Sequence, residues 1–376
     1  IEFQGDLRPD QQDAAEAILK AETGVLAATT GFGKTVIAAY LIAKRKVNTL
    51  VLVHRRQLLD QWIAHLINFL GLSPQQVGQI GGGRKKATGI IDVATIQSLD
   101  KKGVVNDIVG EYGQLVIDEC HHISARSFEL VARQSKAKYV IGLSATVTRK
   151  DGHHPIIFMQ CGPVRYRVNP RQEAAKRSFQ HQVLVRTTEF RMSEESSEGK
   201  PPSIQEIYKA LSGDKARNNM IVEDVLKAIK AGRYPVVLTE RRDHLKLLAE
   251  LLQPYIPNLI VLKGGMGKKQ RHLIQEQIAN VTDGEPRVIL STGRYLGEGF
   301  DDARLDTLFL TLPISWKGTL AQYAGRLHRD HYQKKEVVIY DYLDENVPML
   351  LRMYKKRRRG YYALGMMSKD INLARS

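Results

Sequence analysis

Val25-Leu26-Ala27-Ala28-Thr29-Thr30-Gly31-Phe32-Gly33-Lys34-Thr35 decides how the rest of the chain is read. An apolar run suited to a buried strand breaks at a turn of small residues, and helical periodicity over Lys34–Lys46 follows at once. Strand, glycine turn and helix in that order form a phosphate loop. Gly31 and Gly33 let backbone N–H groups curl around phosphate oxygens, and the helix N-terminus adds a favourable dipole. Lys34 is placed to neutralise β- and γ-phosphate oxygens, and the Thr35 hydroxyl to ligate Mg²⁺. Ala28 stands where the consensus carries its first glycine. A Gly-Lys-Thr after a strand also arises by chance, so the loop calls for a second element.

That element is Asp118-Glu119-Cys120-His121, which ends the apolar run Leu115-Val116-Ile117. Ligands of α/β sheets bind at the carboxyl edge of the strands, where these two carboxylates are expected. Asp118 suits the metal side and Glu119 the attacking water. Taken alone the box reads equally as a solvated strand end. Paired with the loop, it describes nucleotide hydrolysis rather than mere binding.

Of 376 residues, 56 are basic and 40 acidic, a net charge of +16. Such an excess favours polyanions, nucleic acid first among them, although charge alone fits a generally soluble basic protein equally well. The length suggests two to three domains at ~150 residues each. Cys120 and Cys161 make no disulfide framework, and no run reaches the ~18 apolar residues of a membrane span. A reducing compartment follows as the expectation: cytoplasmic, at the nucleoid in a bacterium, or nuclear in a eukaryote. A start at Ile1 rather than Met suggests a fragment.

Short apolar runs alternate with helical patterns throughout, which predicts an α/β class with parallel sheets. Strands are expected at Val25–Ala28, Thr49–Val53, Ile90–Ala94, Leu115–Ile117, Tyr139–Leu143, Val183–Val185, Val236–Leu238, Leu259–Leu262, Val288–Leu290, Thr307–Leu310 and Val337–Tyr340. Helices are expected at Gln57–Leu70, Glu223–Ala231, Asp243–Leu252 and Lys268–Ala279 as well as after the loop. The polar stretch Gly162–Lys176, with two prolines, places a junction near Asn169 and divides the chain into 1–169 and 170–376. Ser193–Ser203 has the composition of a disordered insert.

A third element is Gln322-Tyr323-Ala324-Gly325-Arg326-Leu327-His328-Arg329. Helical spacing would put Gln322, Arg326 and Arg329 on one face, where guanidinium groups could meet a phosphoryl-transfer transition state. Alone, it reads as a basic surface helix.

In this order the loop, the acidic box, Ser144-Ala145-Thr146 and the arginine helix resemble motifs I, II, III and VI of superfamily 2 helicases. Leu7-Arg8-Pro9-Asp10-Gln11 resembles the adenine-reading Q-type motif. Val51–Arg56 resembles motif Ia and Ala94–Ser98 motif Ib. Val236–Arg241 stands where motif IV belongs. Ser291–Arg294 with Gly297-Glu298-Gly299-Phe300-Asp301 resembles motif V. The likeness covers Leu7 to Tyr342 and runs to XPB-type repair helicases and to the helicase subunits of restriction and other defence systems. Lys150, in Arg149-Lys150-Asp151, stands where XPB-type proteins carry an acidic residue.

The resemblance implies two tandem RecA-like P-loop NTPase domains, each a largely parallel sheet flanked by helices, with ATP and Mg²⁺ in the cleft between them. It implies nucleotide contacts by Arg8, Gln11, Thr30, Gly31, Phe32, Gly33, Lys34, Thr35, Gly299 and Asp301, and metal binding by Thr35 and Asp118. Lys34, Asp118, Glu119, Gln322, Arg326 and Arg329 would be catalytic, with Ser144 and Thr146 coupling the nucleotide to the polymer. Arg55, Thr95, Gln97, Gly264 and Thr292 would contact the nucleic-acid backbone. Expected partners are DNA, single- or double-stranded, together with nuclease or other proteins or upstream domains, and no membrane.

Two further features carry less. Gly152-His153-His154-Pro155 lacks other ligands at metal-binding spacing. Arg352, Lys355, Lys356, Arg357, Arg358 and Arg359 either extend the nucleic-acid track or form a solvated helix face, and Tyr361 and Tyr362 after them either stack on bases or, as such residues more often do, form partial core. An RNA-dependent ATPase on the same fold, and a DNA-binding module switched by ATP, remain the alternatives to a DNA helicase or translocase.

Overall fold

Every residue of Thr49–Val53 is buried, and such a run needs a sheet covered on both faces. The computed structural model of the chain builds two such sheets, one in each of two units, Ile1–Asn169 and Pro170–Ser376. It describes residues 1–122, 126–145, 155–177, 179–192, 202–263, 266, 268–282, 284–293, 302–314, 317–329, 331–332 and 334–370.

The first unit contains strands β1 (Thr23–Ala27), β2 (Thr49–Val53), β3 (Val77–Gly81), β4 (Arg84–Lys86), β5 (Ile91–Thr95), β6 (Asp100–Lys101), β7 (Val104–Val105), β8 (Gln114–Asp118), β9 (Tyr139–Ser144) and β10 (Val164–Arg167). The sheet order is β10-β1-β9-β8-β2-β5-β3-β4, with β6 and β7 paired apart from it. All neighbours in the sheet are parallel except β3 with β4. Alternate side chains of β1 enter opposite cores. Leu26 packs with Ile37, Val51 and Leu66, and Val25 with Leu50, Leu115 and Phe128.

Register matters more than order here. Ala27 pairs with Ser144, Asp118 with Leu143, Leu52 with Ile117 and Val53 with Thr95. The carboxyl ends of these parallel strands therefore share one edge of the sheet.

The second unit contains β11 (Gln180–Thr187), β12 (Pro235–Thr239), β13 (Asn258–Leu262), β14 (Arg287–Thr292), β15 (Thr307–Leu310), β16 (Glu336–Leu343) and β17 (Met367–Asp370). Their order is β13-β14-β12-β15-β16-β11-β17, every pair parallel. Val236 and Leu238 face one core, Val237 and Phe309 the other. The α/β class with largely parallel sheets is borne out.

Several local expectations are corrected. Gly162–Lys176, read as a polar junction, contains β10 and the helix Pro170–Lys176. Val164-Arg165-Tyr166-Arg167 lies at a sheet edge, where charged residues are tolerated and no apolar run is needed. The helix expected at Glu223–Ala231 begins at Lys215, because Asp214 caps it by accepting from Arg217 N at 2.8 Å. Its first turn buries Arg217 and Asn218, which hide the apolar period. Of Ser193–Ser203, residues 193–201 lie outside the described residues, while Ser203 caps the helix Ile204–Gly213 in a reciprocal box with Glu206.

The basic tail forms the helix Pro348–Ala363. Arg357 is not part of a solvated face: its Nε and Nη2 donate to Asp341 at 2.9 and 2.8 Å inside the core. Tyr361 is buried beside that pair and donates to Asp341 at 2.8 Å. Tyr362, by contrast, is exposed, with the Arg171 guanidinium 4.5 Å from its ring centroid.

Candidate nucleotide site and nucleic-acid face

The phosphate loop leaves β1 at Ala27 and enters the helix Lys34–Arg45 through Gly33. Gly31 and Gly33 have φ of 88° and 96°, a left-handed region that glycine occupies at little cost. A Cβ on Gly33 would sit 2.3 Å from Gln11 Nε2, so any other residue there would also displace the Gln11 amide. Gln11 Nε2 and Arg8 Nη2 both donate to the Phe32 carbonyl, at 2.8 and 3.0 Å, and the Phe32 side chain is buried. The Arg8 backbone N–H donates to Gln11 Oε1 at 3.0 Å. Arg8 and Gln11 thus clamp the loop from outside. Thr30 and Thr35 are half-buried.

Lys34 Nζ turns back into the loop and donates to the carbonyls of Ala28 and Thr29 at 3.0 and 3.4 Å. Thr29 Oγ1 is buried with no hydrogen-bond partner among the described residues. An ammonium, an orphaned hydroxyl and a helix N-terminus facing one turn suit a polyphosphate.

Asp118 ends β8, where Trp62 Nε1 donates to its Oδ2 at 2.8 Å and the Glu119 backbone N–H to its Oδ1 at 3.0 Å. Burial first, then the Glu119 charge, push the Asp118 carboxyl up to about 6, while the Trp62 hydrogen bond and the Lys34 charge oppose the shift. A carboxylate so placed favours a cation. Among the described residues no group of three or more His, Cys, Asp or Glu forms a metal site, so a cation at Thr35 and Asp118 would share its shell with phosphate oxygens and water. The residues fit Mg²⁺.

Glu119 has φ of +47°, uncommon outside glycine and costing ~1–3 kcal/mol, a strain of the kind found at functional sites. Its Oε2 lies 3.2 Å from His121 Nδ1, which also sits 2.9 Å from Ser144 Oγ. The Ser144 carbonyl accepts from the Ala28 N–H at 3.0 Å. Ser144 is thereby joined both to the loop and, through His121, to the acidic box. Thr146 lies outside the described residues. Cys120 is buried against Cys161, whose hydrogen bond raises its thiol and keeps it protonated.

Arg55 and Thr95 follow from the pairing of Val53 with Thr95 at the same carboxyl edge. Arg55 precedes the helix Arg56–Leu70, and Thr95 Oγ1 lies 2.6 Å from Ser98 Oγ. Gln97 Nε2 donates to the His54 carbonyl at 3.2 Å. The His54 imidazole is pushed down to about 4, chiefly by burial and then by the Arg55 charge. The end of β3 closes on this group: a Cβ on Gly81 would lie 2.6 Å from Thr95 Oγ1. Gly264 lies outside the described residues.

In the second unit Thr239 pairs with Thr292, so the chain leaves β12 and β14 side by side at Glu240 and Gly293. Tyr323 Oη donates to Glu240 Oε1 at 3.1 Å, and a Cβ on Gly293 would stand 2.1 Å from that oxygen and 2.2 Å from the hydroxyl. Burial raises the Glu240 carboxyl. Gly299 and Asp301 lie outside the described residues. Gln322 and Arg326 lie on the helix Lys317–Leu327, both half-buried. Arg329 does not share their helix face, because the helix ends at Leu327, where Lys334 Nζ takes the Leu327 and Arg329 carbonyls at 2.7 and 2.6 Å.

Trp62 and His121 escaped the sequence reading as site residues. Trp62 falls in register with Leu59 and Leu66 and looks like core, which by burial it is. His121 was visible only as the last letter of the acidic box.

Residues 4–149 match the family model described as "Type III restriction enzyme, res subunit". A relative from Acanthamoeba polyphaga mimivirus, named "Putative ATP-dependent RNA helicase", is 27% identical over 364 residues, 94% of this chain and 67% of its own. The DNA 3'-5' translocase XPB2 of Sulfurisphaera tokodaii is 32% identical over 171 residues, 46% of this chain and 38% of the relative. Among solved structures, the Type ISP restriction-modification enzyme LlaBIII bound to DNA overlays 99% of this chain on 31% of its own, with a TM-score of 0.70 and 16% identity. S. cerevisiae Dbp5 bound to RNA and ADP BeF3 overlays 96% on 89%, with a TM-score of 0.66 and 12% identity. These likenesses carry the fold, two RecA-like units. Among the described residues no helix is long and apolar enough to cross a membrane.

Proposed function

We propose that the chain is a superfamily 2 helicase, acting as an ATP-dependent DNA helicase or translocase, a reading that the matched family model and the translocase relative support. The observation that carries this reading is the single sheet edge on which the phosphate loop, Asp118, Glu119 and Ser144 are hydrogen-bonded into one group. Lys34 would leave its loop carbonyls for β- and γ-phosphate oxygens. Glu119 would orient the attacking water and take its proton as the bond to the ADP oxygen breaks. Mg²⁺ held by Thr35 and Asp118 would neutralise developing charge on those oxygens. Arg326 and Arg329 would stabilise the transferring phosphoryl group. Arg55, Thr95, Gln97 and Thr292 would touch the polymer backbone without reading its bases, which suits movement along any sequence.

A relative named for RNA and an RNA-bound neighbour support a second reading, an RNA-dependent ATPase on the same fold. The translocase relative and the excess of basic residues favour DNA. ATP turnover measured without polymer, with single-stranded DNA, with duplex DNA and with RNA separates the readings, using Lys34→Ala as the blank. Stimulation by DNA is expected. Stimulation by RNA alone would replace the first reading with the second, and stimulation by no polymer would leave an ATP-operated switch.

A further inference from the structure

The helix that presents Arg326 ends at Leu327, and Arg329 stands in the turn after it. The last carbonyls of a helix have no partner within it, and the negative end of its dipole gathers there. Lys334 answers both. Its backbone N–H donates to the His331 carbonyl at 3.0 Å, which folds the chain back. Its Nζ then donates to the carbonyls of Leu327 and Arg329, at 2.7 and 2.6 Å.

A buried ammonium is costly unless its hydrogens are used, and Lys334 is only 7% exposed. Its Nζ lies 5.5 Å from the Phe179 ring centroid. The rings of His181 and His328 close the same pocket edge to face, with centroids 4.7 Å apart. Burial foremost, and then the charges of Arg177 and Lys334 among others, hold both imidazoles below their ordinary range, so they stay neutral beside it. Phe179 and His181 flank or begin β11, on the far side of the sequence from the arginine motif. The ammonium therefore packs against the start of β11 while gripping the backbone of the segment that carries His328.

We propose that Lys334 is a positioning residue for Arg329: by holding the Arg329 and Leu327 carbonyls together it fixes the backbone from which the guanidinium is presented to the transferring phosphoryl group. This rests on the reading of Arg329 given above. Lys334 itself touches no reacting atom. Its effect should fall on turnover and leave nucleotide binding alone, because ground-state binding is assigned to the loop around Lys34.

Steady-state ATP turnover with saturating duplex DNA, and affinity for a non-hydrolysable ATP analogue, test this in Lys334→Met, Lys334→Gln, Arg329→Ala and the Lys334→Met/Arg329→Ala double variant. A displacement of about 1 Å costs on the order of 10²-fold in rate, which is the loss of kcat expected for Lys334→Met with analogue affinity unchanged. Lys334→Gln keeps an amide donor and should recover part of that loss. The double variant should be no slower than Arg329→Ala, since a residue acting through Arg329 has nothing left to position. Normal kcat in Lys334→Met beside an inactive Arg329→Ala would overturn the proposal and spare the arginine reading. Losses that multiply in the double variant, or a parallel loss of analogue affinity, would also overturn it. Normal turnover in Arg329→Ala would remove the arginine reading, and this proposal with it.

Discussion

His121 Nδ1 lies 2.9 Å from Ser144 Oγ and bridges the acidic box to the end of the neighbouring strand. Because Ser144 also accepts from Ala28 at the phosphate loop, this contact links the nucleotide side of the edge to the chain that continues from β9. His121→Ala is expected to lower polymer-stimulated turnover about tenfold, the equivalent of one hydrogen bond of ~1.4 kcal/mol, while basal turnover changes less. Equal loss in both, measured with and without duplex DNA, would count against a coupling role.

Trp62 holds Asp118 Oδ2 from behind at 2.8 Å. Hydrogen bonds of this kind orient metal-binding carboxylates, and losing one typically weakens metal binding ~10–100-fold. Trp62→Phe keeps most of the buried area and removes only the donor. The Mg²⁺ concentration for half-maximal turnover should therefore rise by about that factor, and an unchanged requirement would separate Asp118 from the metal.

Buried histidines set an acid limit on stability. His244 Nδ1 lies 2.9 Å from Thr239 Oγ1 and Nε2 lies 3.0 Å from Asn218 Oδ1, and burial, then the Arg217 charge, push the ring down to about 3. In the unfolded chain the same ring titrates near 6.5, so below that pH the unfolded state binds the extra proton. Its contribution is complete above about 6.5 and is lost as pH falls toward 3, ~2 kcal/mol of it by pH 5. His54 and His181, each pushed down to about 4, add to the same decline. Urea midpoints compared at pH 7 and pH 5 should fall less for His244→Gln than for wild type. A parallel fall would contradict the assignment.

The basic tail divides by burial. Arg358 and Arg359 are exposed, whereas Arg357 is locked to Asp341. Removing Arg357 strands a buried carboxylate and is expected to cost ~3–5 kcal/mol of stability in Arg357→Ala. The Arg358→Gln/Arg359→Gln variant should melt as wild type. If those two side chains meet the polymer, the log–log salt dependence of DNA binding should become shallower by about 1–2 in the double variant. An unchanged slope would place them on a solvated face.

What the sequence made legible followed from contiguity. Thr49–Val53 and Thr307–Leu310 agree with the structure residue for residue, because each is a fully buried parallel strand in which an unbroken apolar run follows one β-branched threonine. The loop and the acidic box were readable for the same reason, each being a short run at a strand end. Edge strands such as Arg84–Lys86 and Met367–Asp370 carry polar residues and gave no signal. Contacts formed across the fold were equally silent: Trp62 to Asp118 spans 56 positions, and Trp62 looks like any core tryptophan of an amphipathic helix. Arg329 was misplaced on a helix face because the spacing was right and the stop lay in Lys334, whose capping role only the folded chain displays.

Glu119 is the residue assigned to activate water at an edge answering to nucleic acid. Phosphate release at saturating ATP and Mg²⁺, with and without duplex DNA, should be compared in wild type and Glu119→Gln, with analogue binding measured in both. DNA should stimulate the wild type, and Glu119→Gln should bind the analogue as wild type yet lose turnover by a factor on the order of 10² or more. Turnover near wild type in Glu119→Gln, or a wild type indifferent to DNA, would contradict that assignment.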